Sequence, residues 1–188
     1  MKMYEWRAFE YERKLLVVPP CCGTEYAVAT RRLNPTMQSR HTQHIHWEVT
    51  PNRVYCLYRP FRQRIVYAIA QWLATYPGTV DENWWRVDQA KGYLDQQHTS
   101  LIPLWEWVPP KFVDEPVNYE HMPDLFMTWG LEVPKHMSVI ESTPIEDVWW
   151  IDDKINTYSH FWSALENSLA YRQEAKAIET WNQVRAEN

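Results

Sequence analysis

Three side chains in a short alternating segment could share a metal ion. Residues 44–49 alternate between polar and apolar side chains, as a β-strand does, so His44, His46 and Glu48 fall on one face. Two imidazoles and a carboxylate are the open ligand set that hydrolytic zinc enzymes use. The segment therefore predicts a zinc-dependent hydrolase as one candidate function. In the alternative interpretation it is a solvated strand face whose histidines form hydrogen bonds or stack on tryptophans.

The three cysteines are the other reactive side chains. Cys21 and Cys22 are adjacent, and Cys56 stands alone. A nucleophilic cysteine needs a base and a donor for the developing oxyanion, and nothing near the pair in the sequence supplies them. Adjacent cysteines rarely bridge each other, and an odd number gives no secretory disulfide framework. The cysteines therefore predict free thiols in a reducing intracellular compartment.

Large aromatic side chains are abundant and glycine is scarce. The 188 residues include 12 Trp and 11 Tyr but 4 Gly. Aliphatic side chains usually fill a core, whereas Trp and Tyr carry binding energy at interfaces, so the composition indicates contacts with other proteins. The few glycines form neither a GxGxxG nor a GxxxxGK[ST] pattern, which argues against Rossmann and P-loop nucleotide enzymes.

The charge and hydropathy patterns argue against direct binding to nucleic acid and against insertion into a bilayer. A net charge of -5 is unsuited to neutralising nucleic-acid phosphates, so no direct nucleic-acid contact is expected. The apolar run from Ile65 to Tyr76 is shorter than the roughly 20 residues that span a bilayer. The charged segment Met1–Glu12 does not resemble a signal peptide. We expect no transmembrane span.

Periodicity and turn residues locate the first elements. The run Leu15–Val18, ended by prolines, predicts a strand, and Glu25–Leu33 predicts a second. Apolar residues then recur every three or four positions over Phe61–Tyr76, directly after Pro60, which predicts a helix. A capping-box pattern predicts another helix over Thr79–Gln97.

The second half of the chain divides into two segments. Residues 99–143 are rich in proline, which excludes long helices and central strands, but also rich in aromatic rings, which predicts an ordered extended strap. A capping box at Thr143–Glu146 then starts a heptad-like apolar repeat. If unbroken, this helix would measure roughly 65 Å. It either breaks near Asn156-Thr157 or projects onto a partner, and we prefer the projecting helix.

These patterns predict an α+β fold that is mostly α. Its parts are short N-terminal strands, two central helices, the proline-rich strap and a long C-terminal amphipathic helix. The corresponding segments are a small core over 1–98, the strap over 99–143 and the helix over 144–188. We expect them to form one structural unit.

In composition and layout the chain resembles the accessory subunits of large mitochondrial respiratory complexes of protists. Leu57-Tyr58-Arg59 also spells the tripeptide of the LYR family of small mitochondrial helical proteins. That family carries the tripeptide within a helix, whereas Pro60 places it before one here, so none of its sites is transferred.

The resemblance to accessory subunits implies a non-enzymatic docking role. The expected partners are other protein subunits, the expected location is the periphery of the mitochondrial inner membrane, and no cofactor is implied. A phage or mobile-element binding protein would use the same interface chemistry and is the remaining alternative. The expected contact residues are tryptophans of the strap and the terminal helix: Trp105, Trp107, Trp129, Trp149, Trp162 and Trp181.

Overall fold

A five-stranded sheet organises the part of the chain that the computed structural model describes, namely residues 7–41, 51–75, 112–135, 145–167 and 169–186. The strands are β1 (Arg7–Tyr11), β2 (Lys14–Val18), β3 (Gln38–His41), β4 (Arg53–Tyr58) and β5 (Glu115–Asn118). The helices are α1 (Thr24–Leu33), α2 (Phe61–Thr75), α3 (Met122–Thr128), α4 (Ile145–Thr157), α5 (Ser159–Glu166) and α6 (Leu169–Ala186). Among these helices, none is long and apolar enough to cross a membrane.

The sheet is mixed and follows the order β3-β1-β2-β4-β5. Strand β1 is antiparallel to both β2 and β3, whereas β4 is parallel to β2 and β5 is parallel to β4. Four of the five strands therefore point the same way, and β1 alone is reversed within this sheet. The predicted strand over Leu15–Val18 is confirmed, and its continuous apolar run is explained by the central position of β2.

The prediction of a strand over Glu25–Leu33 is wrong, because these residues form α1. Its buried side chains, Tyr26, Ala27 and Thr30, have the spacing of one helical face rather than the alternation of a strand. The Thr30 hydroxyl donates to the carbonyl of Tyr26, which is a bond across one helical turn. A β-branched residue therefore fits the helix without leaving a buried hydroxyl unsatisfied.

The predicted helix over Phe61–Tyr76 is confirmed by α2 over the described residues, Phe61–Thr75. The helix predicted over 79–97 lies outside the described residues. Within the segment predicted as an extended strap, residues 115–118 are extended and form β5, but residues 122–128 form α3. Pro116 is tolerated because β5 is an edge strand of the described sheet, and Pro123 occupies the first turn of α3.

Of the two alternatives for the C-terminal segment, the preferred projecting helix is wrong and the break near Asn156-Thr157 is found, since the described residues form three helices, α4, α5 and α6. Helix α4 ends at Thr157, whose hydroxyl donates to the carbonyl of Asp153. Helix α5 ends before Asn167, whose side-chain amide donates to the carbonyl of Ser163. The segment consequently folds back onto the body instead of projecting as one rod.

The main core forms between the sheet and helices α1 and α3. Phe126 of α3 stacks on Tyr26 of α1 with ring centroids 6.4 Å apart, and Trp129 meets Tyr55 of β4 edge-on at 5.2 Å. After α3, Gly130 adopts a left-handed conformation, and the amides of residues 130 and 131 donate back into the helix end. This is a Schellman C-cap, which directs the chain back towards α1.

Two glycines with left-handed backbones allow a matched test of this packing. A Cβ on Gly23, the N-cap of α1, would lie 2.7 Å from Cε of Met122, whereas a Cβ on Gly130 would meet nothing within 4 Å. We expect Gly130→Ala to lower the free energy of unfolding by about 1 kcal/mol through backbone strain alone. Gly23→Ala should cost more, about 1–3 kcal/mol, because Met122 must also move. Urea unfolding measures both values, and equal costs would contradict a tight contact at Gly23.

Candidate functional site

The carboxyl ends of β2 and β4 form the candidate site. These strands are parallel neighbours, but the chain leaves them in opposite directions, since β2 leads to β3 on one side and β4 leads to β5 on the other. The rule that such crossovers are right-handed predicts α1 and α2 on opposite faces of the sheet. In open α/β sheets, ligands bind in the crevice outside the carboxyl ends of strands at such a point.

The first loop of the site joins β2 to α1. The amide of Cys22 donates to the carbonyl of Pro19 at 3.2 Å, which closes a turn. Cys21 and Gly23 both have positive φ angles, 61° and 91°, on either side of Cys22. Gly23 is the N-cap of α1 and has no side chain that could cap the helix. The N-terminal amides of α1 therefore face this edge of the sheet without a side-chain cap from the N-cap position.

The second loop joins β4 to α2 and brings in Arg59. Its guanidinium lies 4.3 Å from the ring centroid of Tyr67 and 3.9 Å from that of Tyr119. Arg59 as a whole is 3% exposed. Two rings on one guanidinium hold the cation by cation–π attraction where water does not reach it. The backbone of Arg59 also lowers the pKa of Cys22, against the larger effect of burial, so the two loops lie next to each other.

Arg64, in the first turns of α2, supplies a second buried cation. Its guanidinium donates to a carboxylate oxygen of Glu174 in α6 at 2.5 Å, and both side chains are fully buried. Burial works against the charge on Arg64, but the carboxylate of Glu174 outweighs it and the pKa of the guanidinium is raised. The Nε atom of Arg64 is buried and has no hydrogen-bond partner among the described residues. We call Cys21, Cys22, Arg59, Arg64 and Glu174 the carboxyl-edge site.

The thiols at this site have pKa values above their ordinary value and so keep their protons near neutral pH. Burial, together with the neighbouring Cys22, raises the pKa of Cys21 to about 12, and its thiol donates to the side-chain oxygen of Gln71 at 3.6 Å. Burial also raises the pKa of Cys22 and that of Cys56, a residue of β4. All three cysteines are free, as predicted. A protonated thiol is a poor nucleophile and a poor metal ligand, so these residues line the site rather than drive chemistry.

The rim of the carboxyl-edge site remains partly accessible. Cys21, Gly23 and Thr24 of the first loop are half-buried, as are Asn118 and Tyr119 at the end of β5. Two guanidinium groups, those of Arg59 and Arg64, lie in the interior of this site, and the carboxylate of Glu174 is bonded to the second. A small anion that enters past this rim would meet guanidinium groups in a poorly hydrated environment.

The predicted metal ligands, His44, His46 and Glu48, lie outside the described residues, and so the zinc hypothesis stays a prediction. Within the described ranges, no group of three or more histidine, cysteine, aspartate or glutamate residues could hold a metal ion. The tripeptide Leu57-Tyr58-Arg59 runs from the end of β4 into the loop before α2. It does not lie within a helix, in contrast to the LYR family.

The predicted contact tryptophans fall into different environments. Trp149 of α4 is 66% exposed, whereas Trp129 is 5% exposed and packs in the core, so Trp129 offers almost no surface to a partner. Trp162 is half-buried under the guanidinium of Arg62, which lies 4.9 Å from its ring. Trp181 belongs to α6, but its side chain is outside the described part, as are Trp105 and Trp107 entirely.

Sequence reasoning missed the carboxyl-edge site, although a signal for it was present. An apolar strand, a short loop with Cys21, Cys22 and Gly23, and a helix follow one another, and the same order recurs with Arg59 in the second loop. The misassignment of α1 as a strand concealed the first unit. The pairing of β2 with β4, which brings the two loops together, has no local signature.

Comparison with known proteins gives no relative, since no family model, no curated protein and no solved structure matches the chain.

The raised thiol pKa values predict how stability depends on pH. In the unfolded chain thiols ionise near pH 8.5, whereas the buried thiols keep their protons, so the folded state binds more protons above that pH. We expect the free energy of unfolding to fall above about pH 9, by up to about 1.4 kcal/mol per pH unit for each thiol. Urea unfolding between pH 8 and 10 measures the slope, which Cys56→Ala should reduce. Equal slopes in the two proteins would contradict a protonated Cys56.

Proposed function

We propose that this protein binds a small molecule through a phosphate or another tetrahedral oxyanion at the carboxyl-edge site. The observation that carries the proposal is the meeting of two cations and a helix N-terminus at the point where neighbouring parallel strands diverge. Each component favours negative charge, and all three lie in or directly after the two loops that follow β2 and β4.

Arg59 is held in a fixed orientation before any ligand arrives. The rings of Tyr67 and Tyr119 lie over its guanidinium, so little rotational freedom remains to be lost on binding. A planar guanidinium recognises phosphate through paired hydrogen bonds, which a flexible ammonium group matches poorly. This arrangement supports an oxyanion rather than a neutral ligand.

The loop before α1 supports the same ligand class without a glycine-rich sequence. Glycine-rich loops place amides near phosphate by using left-handed backbone, and here Cys21 and Gly23 both adopt that conformation. The scarcity of glycine argues against the common nucleotide-binding sequence patterns, but it does not prevent a backbone turn of this kind. The ligand class is therefore defined by charge and shape rather than by a known motif.

Titration calorimetry with inorganic phosphate, pyrophosphate and ATP tests this function. We expect at least one of the three to bind the full chain, and Arg59→Met to weaken binding about 10-fold to 100-fold, since a hydrogen bond to a charged group contributes about 1.5–3 kcal/mol. Arg62→Met is the matched control, because Arg62 lies in the same segment but pairs with Asp152 of α4. No binding of any of the three, or equal loss in both variants, would contradict the proposal.

A second candidate function is the docking role expected from the sequence, as a non-enzymatic accessory subunit of a large assembly such as a mitochondrial respiratory complex. The observation that favours it is the exposure of two adjacent indoles on α4, 66% for Trp149 and 39% for Trp150. Exposed tryptophans are costly in water and frequent at the centres of protein interfaces. Both lie on α4, the helix that packs on α2 through Arg62.

Co-fractionation from the native source tests the docking role. We expect the tagged chain to migrate with a large assembly, and Trp149→Ala to release it without lowering the free energy of unfolding by more than about 0.5 kcal/mol, because an exposed ring adds little to the fold. Phe112→Ala is the control, since Phe112 is 44% exposed outside α4. A chain that migrates alone in native extracts would contradict this role.

A further inference from the structure

Helix α6 is attached to the body through a buried charge. Among the α6 residues whose side chains the structure describes, Glu174 alone is fully buried, whereas Arg172, Gln173, Ala175 and Lys176 around it are exposed. Tyr171, Ala177 and Ile178 are half-buried. The described side chains of α6 therefore attach it mainly by a charge pair rather than by apolar packing, and a buried ion pair contributes little net stability.

The ion pair between Glu174 and Arg64 contributes less to stability than its short distance suggests. Both groups lose their hydration on burial, and apolar side chains of similar size often stabilise a fold equally well. The pair joins residues 110 positions apart, from the first turns of α2 to the last helix. A pair of this kind is better explained by a role at the carboxyl-edge site than by stability.

The carboxylate of Glu174 has the chemistry of the ligand proposed for this site. Carboxylates and phosphates use the same donors of a guanidinium, in the same planar arrangement. Glu174 also acts electrostatically on Cys22 and Cys56, which places it close to both the first loop and β4. In the described structure, an anion that bound Arg64 would meet a negative charge already in place.

We propose that Glu174 is an internal counter-ion that occupies the oxyanion position on Arg64, so that ligand binding requires its displacement and the release of α6. This inference rests on the function proposed above and adds its regulation. The start of α6 acts as the fixed end, because Tyr171 remains in edge-on contact with Phe61 and Trp162, at 5.1 and 5.9 Å. The part of α6 beyond Glu174 is the part that moves.

Pyrophosphate binding to the full chain and to Glu174→Gln tests the inference. Glutamine keeps the shape and a hydrogen-bonding oxygen but removes the competing charge, so we expect the dissociation constant for pyrophosphate to fall about 10-fold. Glu179→Gln is the matched control, because Glu179 is exposed on the same helix and should leave the constant unchanged. Unchanged or weaker binding by Glu174→Gln would overturn the inference.

Hydrogen exchange of the unaltered protein gives an independent measurement that does not depend on how well the variant folds. Pyrophosphate should increase amide exchange in residues 174–186 at least 5-fold and slow it in α1. Slower exchange in both segments would overturn the displacement of α6 while leaving the oxyanion site intact. The inference fails if pyrophosphate does not bind by calorimetry and leaves exchange in both segments unchanged. The proposed function fails as well if phosphate and ATP also do not bind.

Discussion

The parallel pairing of β2 with β4 is the constraint on which the rest of the structure depends. It aligns Leu15 with Val54 and Val17 with Cys56, so two apolar runs are buried in the centre of the sheet. Hydrogen bonds fix the neighbouring strands to this pair: Asn52 donates to the carbonyl of Arg13, and the Asp114 carboxylate accepts from the amide of Val54. Because the two strands end at the same edge, the loops that follow them must meet there.

The meeting of these loops explains why charge is buried in a small protein. Arg59 directly follows β4, and Arg64 lies in the first turns of α2. Both side chains are therefore buried together with the central strand and the start of the helix. Aromatic faces lie against the guanidinium of Arg59, and the carboxylate of Glu174 binds that of Arg64. A core that only had to be stable would avoid both charges, and their retention is the main physical argument for a binding role at this edge.

The two candidate functions use separate parts of the molecule and do not compete. The carboxyl-edge site lies between the loops after β2 and β4, whereas Trp149 and Trp150 belong to α4. Arg62 connects them, because it lies between the two buried arginines in sequence but pairs with Asp152 and Asn156 of α4 and lies over Trp162. A protein that binds a small anion and also docks on a larger assembly would need this separation.

The sequence by itself determined the elements whose signals are local. The apolar run of β2, the helix after Pro60 and the free thiols were predictable, because each depends on a few neighbouring residues. Residues 24–33 were misread because a helix with three buried side chains and a strand have similar composition over so short a stretch. In the last segment the break near Asn156-Thr157 was one of two alternatives, whereas the break at Asn167 is concealed by the apolar repeat, which continues across it. Tertiary structure alone decided that Cys22, Arg59, Arg64 and Glu174 meet, since the free energy that joins them comes from strand pairing and burial between residues far apart in the chain.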